Sequence, residues 1–329
     1  MPGLKIDVHN HVGRWLSDDG DWLTTAEDVL ATMDAAGIAT LVNLDGRWGS
    51  ELTDNLARYD AAHPGRFLTF CQADWSLLDT PGALTAQLSE SAAAGARGLK
   101  IWKDLGLSVR DQSGRLVAPD DPRVVELCRA AGDLGLPVLI HTADPVAFFE
   151  PLDETNERID ELTAVPEWWF GGPDHPTFAA LLAALHRLVG ACPATTFIGA
   201  HVGCQAEDLD AVGSALQRLP NWHVDTGGRL AEIGRRPAAF RRLVETFPDR
   251  ILFGSDCYPP KLSEYDRWWR FLETADQDFS YVDDGDVPLQ GRWRISGCDL
   301  PATLLPALYR HNAQRVLGCG AAYGLTTFG

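Results

Sequence analysis

Apolar and polar positions along this chain fall into short alternating blocks, each followed by a stretch with helical spacing. Eight β-rich blocks stand out: LKIDVH (4–9), ATLVNL (39–44), FLTFCQADW (67–75), RGLKIW (97–102), PVLIHT (137–142), TTFIGAH (195–201), WHVDTG (222–227) and RILFGSD (250–256). Helical patterns separate them: TAEDVLATMDAAG (25–37), with a threonine cap and a glycine stop, ALTAQLSESAAAG (83–95) and PRVVELCRAAGDLG (122–135). Further crossovers are expected near 177–190, 205–219 and 237–247, and helices near 263–274 and 301–317 finish the chain. Such alternation predicts an α/β protein with a parallel sheet, and eight strands are the number that closes a (β/α)8 TIM barrel.

Two stretches exceed an ordinary connection: 143–176 after the fifth strand, and 276–300 after the eighth. They read either as loops over the barrel mouth or as plain cover for the barrel or a subunit contact. No linker marks a second domain, so residues 1–329 read as one barrel carrying two insertions. The hydrophobic content of 45% is ordinary for a globular chain. A formal charge of -18 argues against nucleic-acid or anionic-membrane binding, which needs clustered Lys and Arg. Seven scattered cysteines without a CxxC pair favour reduced thiols in a cytoplasmic protein and count against a cysteine zinc site. No apolar run approaches the ~20 residues of a membrane span.

The candidate chemistry begins in DVHNHVG (7–13). On a regular strand Asp7, His9 and His11 share one face, and Leu4, Ile6 and Val8 the other. Neutral imidazole is a common zinc ligand, although a pair of solvated histidines would give the same spacing. What ends the other strands decides between these readings, because catalytic groups of barrels sit at the C-terminal ends of strands. The fifth ends in His141, the sixth in His201 and the eighth in Asp256. Four histidines and an aspartate on one rim point to a metal-dependent centre.

Taken in order, DVHNH, LIHT, FIGAH and FGSD, with the closing YRHNAQRVLG, resemble the amidohydrolase superfamily. The likeness is to the amidohydrolase-2 branch, which includes aminocarboxymuconate semialdehyde decarboxylase and related aromatic acid decarboxylases, and it spans nearly the whole barrel. The resemblance implies that His9, His11, His141 and Asp256 hold one divalent ion, usually zinc, with manganese as the alternative. It places His201 as a catalytic histidine, with Asp256 taking the proton of the attacking water. Lys100, on the inward face of the fourth strand, leaves a second reading open: some members carboxylate such a lysine to bridge two metals, with His141 and His201 on the second ion. Otherwise Lys100 is a buried cation, paired with Asp7 or with a substrate carboxylate.

Arg14, Trp15, Arg47, Trp48, Trp75, Trp102, Lys103 and Arg229 follow or end strands, so the expected pocket is aromatic and cationic and suits a small anionic substrate. His63, His175, His186, His223 and His311 carry ordinary structural readings. The expected function is a metal-dependent hydrolase acting on a small aromatic or unsaturated carboxylic acid derivative. Nonoxidative decarboxylation is the alternative, and a noncatalytic ligand-binding barrel is a third reading. A homodimer is expected only by analogy with similar barrels.

Overall fold

A computed structural model describes residues 5–15, 17 and 20–319; Leu4 of the first predicted strand lies outside them. The strands are β1 (Lys5–Asn10), β2 (Ile38–Asn43), β3 (Phe67–Thr69, resuming at Cys71–Gln72), β4 (Leu99–Ile101), β5 (Val138–Ile140), β6 (Phe197–Gly199), β7 (Trp222–Asp225) and β8 (Ile251–Leu252). Each pairs in parallel with the next. The Val8 amide donates to the Phe253 carbonyl at 3.0 Å and the Asp256 amide to the His9 carbonyl at 2.8 Å, which joins β8 to β1. The expected TIM barrel is therefore present.

Crossover helices α1 (Ala26–Ala36), α2 (Gly49–Asn55), α3 (Ala83–Ala94), α4 (Pro122–Asp133), α5 (Phe178–Ala191), α6 (Leu209–Arg218), α7 (Pro237–Thr246) and α8 (Leu262–Glu273) follow β1 to β8 in turn. The signals behave as their chemistry requires: the Thr25 hydroxyl accepts from the Asp28 amide, and Gly37 closes α1 in the left-handed region. The sequence reading assigned no span to α2, whose residues GSELTDN lack an apolar face. Two apolar layers result. Ile6, Val8, Val42, Leu68, Leu139, Ile198 and Leu252 fill the barrel, closed below by Ala313 and Leu317 of α9 (Asn312–Leu317). Leu41, Leu99, Val138, Phe197 and Val224 face the helices. Among the described residues no helix is long and apolar enough to cross a membrane.

Residues 143–176 lie between β5 and α5 and carry three short helical turns, Val146–Phe149, Ile159–Ala164 and Pro166–Trp168. Residues 276–300 follow α8 rather than β8 directly, and Phe279 and Ile295 pair across this segment. Arg292 of the second stretch clasps Asp160 of the first with bonds of 2.6 and 2.7 Å.

The expected strict alternation in β1 fails. Asp7 pairs with Leu41 but Asn10 pairs with Asn43, so β1 holds one residue more than β2 over this span. An extra residue reverses which face each side chain takes. Ile6 and Val8 lie in the inner apolar layer, and beyond the extra residue His9 and His11 turn to the mouth, whereas Asp7 points the other way. There the Asp7 carboxylate accepts from the His9 and Ser255 amides (3.1 and 3.0 Å), the Ser255 hydroxyl (2.5 Å), Tyr265 (2.8 Å) and Asn10 Nδ2 (2.9 Å). Lys100 is not among these partners. Burial pushes the Asp7 carboxyl up, against the opposing pull of these donors. Replacing Asp7 with alanine strands several buried donors, and the expected cost is about 3 kcal/mol or more in denaturant unfolding; a loss below about 1 kcal/mol would show that the cluster does not hold β1 to β8.

Candidate metal centre

The four histidines and Asp256 meet above the inner apolar layer. His9 Nε2 and His11 Nε2 lie 3.5 and 3.4 Å from the same oxygen, Asp256 Oδ1. His201 Nδ1 lies 3.8 Å from Asp256 Oδ2, and His201 Nε2 lies 3.3 Å from His141 Nδ1. His9, His201 and Asp256 each offer an atom within 4.8 Å of the other two. His11 joins this group through Asp256, and His141 joins it through His201. His201 thus lies in the same group of donor atoms as His9 and Asp256.

The far side of each ring is fixed. His9 Nδ1 meets Asp225 at 3.0 Å, and His11 Nδ1 meets Asp45 at 2.7 Å. Asp225 and Asp45 are fully buried. A carboxylate that accepts the Nδ1 proton leaves the Nε2 lone pair pointing into the cluster. His201 Nδ1 is within 2.7 Å of the Gly227 carbonyl, and His141 Nε2 within 3.2 Å of Asp144. Sequence reasoning passed over Asp45, Asp144 and Asp225. Their signal was available, since Asp225 ends β7 and Asp45 and Asp144 lie just beyond β2 and β5 on the same rim.

Close backbone approach makes room for the donors. A Cβ on Gly254 would stand 2.8 Å from His9 Cβ, and one on Gly228 would stand 2.7 Å from Asp256 Oδ2. His201 and Asp256 both hold positive φ, 59° and 57°, and Val202 follows at 58°. β-branched valine is strained there, a cost that surrounding structure sustains at functional sites.

Donors around a tetrahedral ion at 2.0–2.2 Å stand about 3.3–3.5 Å apart, and the His9–Asp256, His11–Asp256 and His201–His141 separations fall in that range. Imidazole and carboxylate suit zinc or manganese. The residues therefore fit a divalent ion. Burial brings the His141 pKa down to about 4 and that of His201 well below its usual value, so both rings are neutral at pH 7, as ligation requires. Lys100 is fully buried, and its Nζ has no hydrogen-bond partner among the described residues. It lies 4.7 Å from the centre of the Trp102 ring, and burial lowers its pKa to about 8 against the pull of Asp256 and Asp225.

A cavity of about 740 Å³ opens over the centre. Of the eight expected binding residues, Trp102, Lys103 and Arg229 line it. Arg14 instead pairs with Glu51 and Asp54 at 2.9 and 2.6 Å, which neutralises it away from the cavity. Arg47 lies over the rings of Trp15 and Trp48. Trp15 itself donates to Asp45 at 3.0 Å and packs edge-on against Trp102, so it supports the wall from behind. Trp48 precedes α2 and Trp75 begins a short turn after β3; neither reaches the cavity lining. Strand-end position predicted the rim, but the cations and rings of these loops partner nearby groups and do not line the cavity. Lys103 pairs with Asp144. Arg158 and Arg267, which sequence reasoning missed, also line the cavity; Arg158 pairs with Glu161 and Glu232, and Arg267 with Asp283. Arg229 is 8% exposed and donates to the Gly228 carbonyl, and among the described residues it has no carboxylate partner. His63, His175, His186, His223 and His311 stand apart from the cavity lining.

A family model described as Amidohydrolase matches residues 6–319. No curated protein matches the chain. Among solved structures, 2,6-dihydroxybenzoate decarboxylase from Rhizobium is 17% identical with a TM-score of 0.63, covering 95% of this chain and 98% of that one. A dihydroxybenzoic acid decarboxylase from Polaromonas sp. JS666, with bound manganese and the inhibitor 2-nitroresorcinol, is 16% identical with a TM-score of 0.62 and covers 98% of both chains. An amidohydrolase from Burkholderia multivorans with bound zinc is 16% identical with a TM-score of 0.57, covering 96% and 99%. At this identity the solved structures speak to the fold, and the family match carries the assignment: the chain belongs to the amidohydrolase family.

Proposed function

We propose that this protein is a metal-dependent hydrolase of carboxylic acid derivatives, with His9, His11, His141 and Asp256 holding one divalent ion and His201 beside it. The observation that carries the reading is the convergence of His9 Nε2 and His11 Nε2 on one oxygen of Asp256, with both Nδ1 atoms tied to buried carboxylates. When bound, such an ion polarises a carbonyl and makes water nucleophilic near neutral pH. Asp256, with its side chain 23% exposed among nearly buried histidines, takes the proton as the water oxygen bonds to the carbonyl carbon. As the carbon–heteroatom bond breaks, the same carboxyl returns the proton to the leaving atom. Neutral His201, held by the Gly227 carbonyl, orients the reacting oxygen. Arg229 offers its planar fork to a substrate carboxylate, and Trp102 supplies a flat wall.

Decarboxylation is the second reading, and the activities named for the Rhizobium and Polaromonas structures favour it. Turnover in ¹⁸O-labelled water separates the two. Hydrolysis puts label into the acid product, whereas carbon dioxide released without a stoichiometric hydrolysis product would overturn it.

Asp256→Asn removes the charge of a ligand and the proton acceptor, and kcat is expected to fall by about 10³ or more. Activity within tenfold of the parent would exclude this role. Arg229→Met is expected to raise KM about 100-fold for a carboxylate substrate with kcat changed far less; an unchanged KM would remove Arg229 from binding. Acid stability follows from the buried rings. The lowered pKa values of His141 and His201, with His223 also near 4, mean that the unfolded chain binds more protons than the folded one between about pH 6.5 and 4. Stability from these rings is fully present above pH 6.5 and is lost as the pH falls toward 4. Chelator-treated protein should show Tm declining across that window, and a flat profile would contradict the burial of neutral imidazoles.

A further inference from the structure

The cavity is larger than a single-ring acid fills, and part of its lining is apolar. Its volume of about 740 Å³ lies within the ~300–1,000 Å³ that holds drug-sized ligands, and a benzoate-sized molecule would leave most of it to water. Among the described residues eight large apolar side chains are exposed, and four of them, Trp168, Tyr258, Val287 and Leu289, line this one cavity. They come from three separate segments, the 143–176 stretch, the loop after β8 and the 276–300 stretch. Exposed apolar groups brought together from distant segments mark a binding surface rather than scattered surface residues.

This apolar wall is continuous with the metal centre. Trp102 lies 4.9 Å from the His11 ring. The next residue, Lys103, places Nζ 4.7 Å from the centre of the Trp168 ring, and Trp168 stacks on buried Phe148 at 6.1 Å. Val287, which is 63% exposed, and Leu289 line the same cavity. The Arg292–Asp160 clasp joins the two segments that supply Trp168 and Leu289.

We infer that the substrate is an amphiphilic carboxylic acid derivative. Its polar, reacting end sits at the His–Asp centre, and an aryl or alkyl extension beyond one ring lies along Phe148 and Trp168 toward Val287 and Leu289. This replaces the expectation of a small substrate and rests on the proposed use of the cavity for a carboxylic acid derivative.

The test is calorimetric binding of benzoate and biphenyl-4-carboxylate to the zinc-loaded full chain, which needs no turnover. The second ring is expected to tighten Kd at least about tenfold. In Trp168→Ala and in a Val287→Asp/Leu289→Asp double variant, the difference between the two probes should shrink to about threefold or less. Equal affinities in the parent, no measurable binding of either probe, or a size preference that survives both variants would overturn the proposal. So would a parent that sediments as a dimer and becomes monomeric in the double variant, because the patch would then be covered by a second copy. Failure of the hydrolase reading shows differently, as absent label transfer while the size preference persists.

Discussion

The register shift of β1 against β2 between Asp7 and Asn10 governs the whole arrangement. Without it, the residues that follow Ile6 and Val8 would keep strict alternation, and the histidines would share the outward face of Asp7. The register shift against β2 lets one short strand do three things in succession: fill the barrel, bond outward to β8, and turn two imidazoles into the mouth. Asp7 holds the shift in place. Its carboxylate gathers the Ser255 amide and hydroxyl, Tyr265, Asn10 and the His9 amide, so the strands carrying His9 and Asp256 are tied at one buried point.

From that point the centre is built by constraint rather than by attraction among its donors. Four rings and a carboxylate at 3.3–3.8 Å, two of the rings kept neutral by burial, gain little from one another. Asp225 and Asp45 hold two rings by their outer nitrogens, and the glycines at 228 and 254 supply clearance that any side chain would remove. Positive φ at His201 and Asp256 adds backbone strain. A fold that sustains such costs around one point has its donors arranged before any cation arrives.

Much of this was legible in the residues. Strand–helix alternation gave the barrel, and the rule that strands end at the active face located His141, His201 and Asp256. The same rule applied to every strand would have found Asp225, but a lone aspartate after WHV carries no motif of its own. The β1 bulge was not legible, because DVHNH reads as perfect alternation and only the partner strand reveals the extra residue. That Arg14 and Arg47 do not line the cavity was hidden for a related reason. Proximity to a strand end fixes where a side chain begins, while its partners, Glu51 and Asp54 for Arg14 and two tryptophan rings for Arg47, fix where it goes.

Everything proposed for the site requires that the His–Asp cluster hold a single divalent ion. An anomalous-difference map from crystals grown with zinc, collected at the zinc absorption edge, addresses it directly. The account predicts one peak within about 2.0–2.2 Å of His9 Nε2, His11 Nε2 and an oxygen of Asp256. A cluster without a peak at saturating zinc, or two peaks bridged through Lys100, would contradict it.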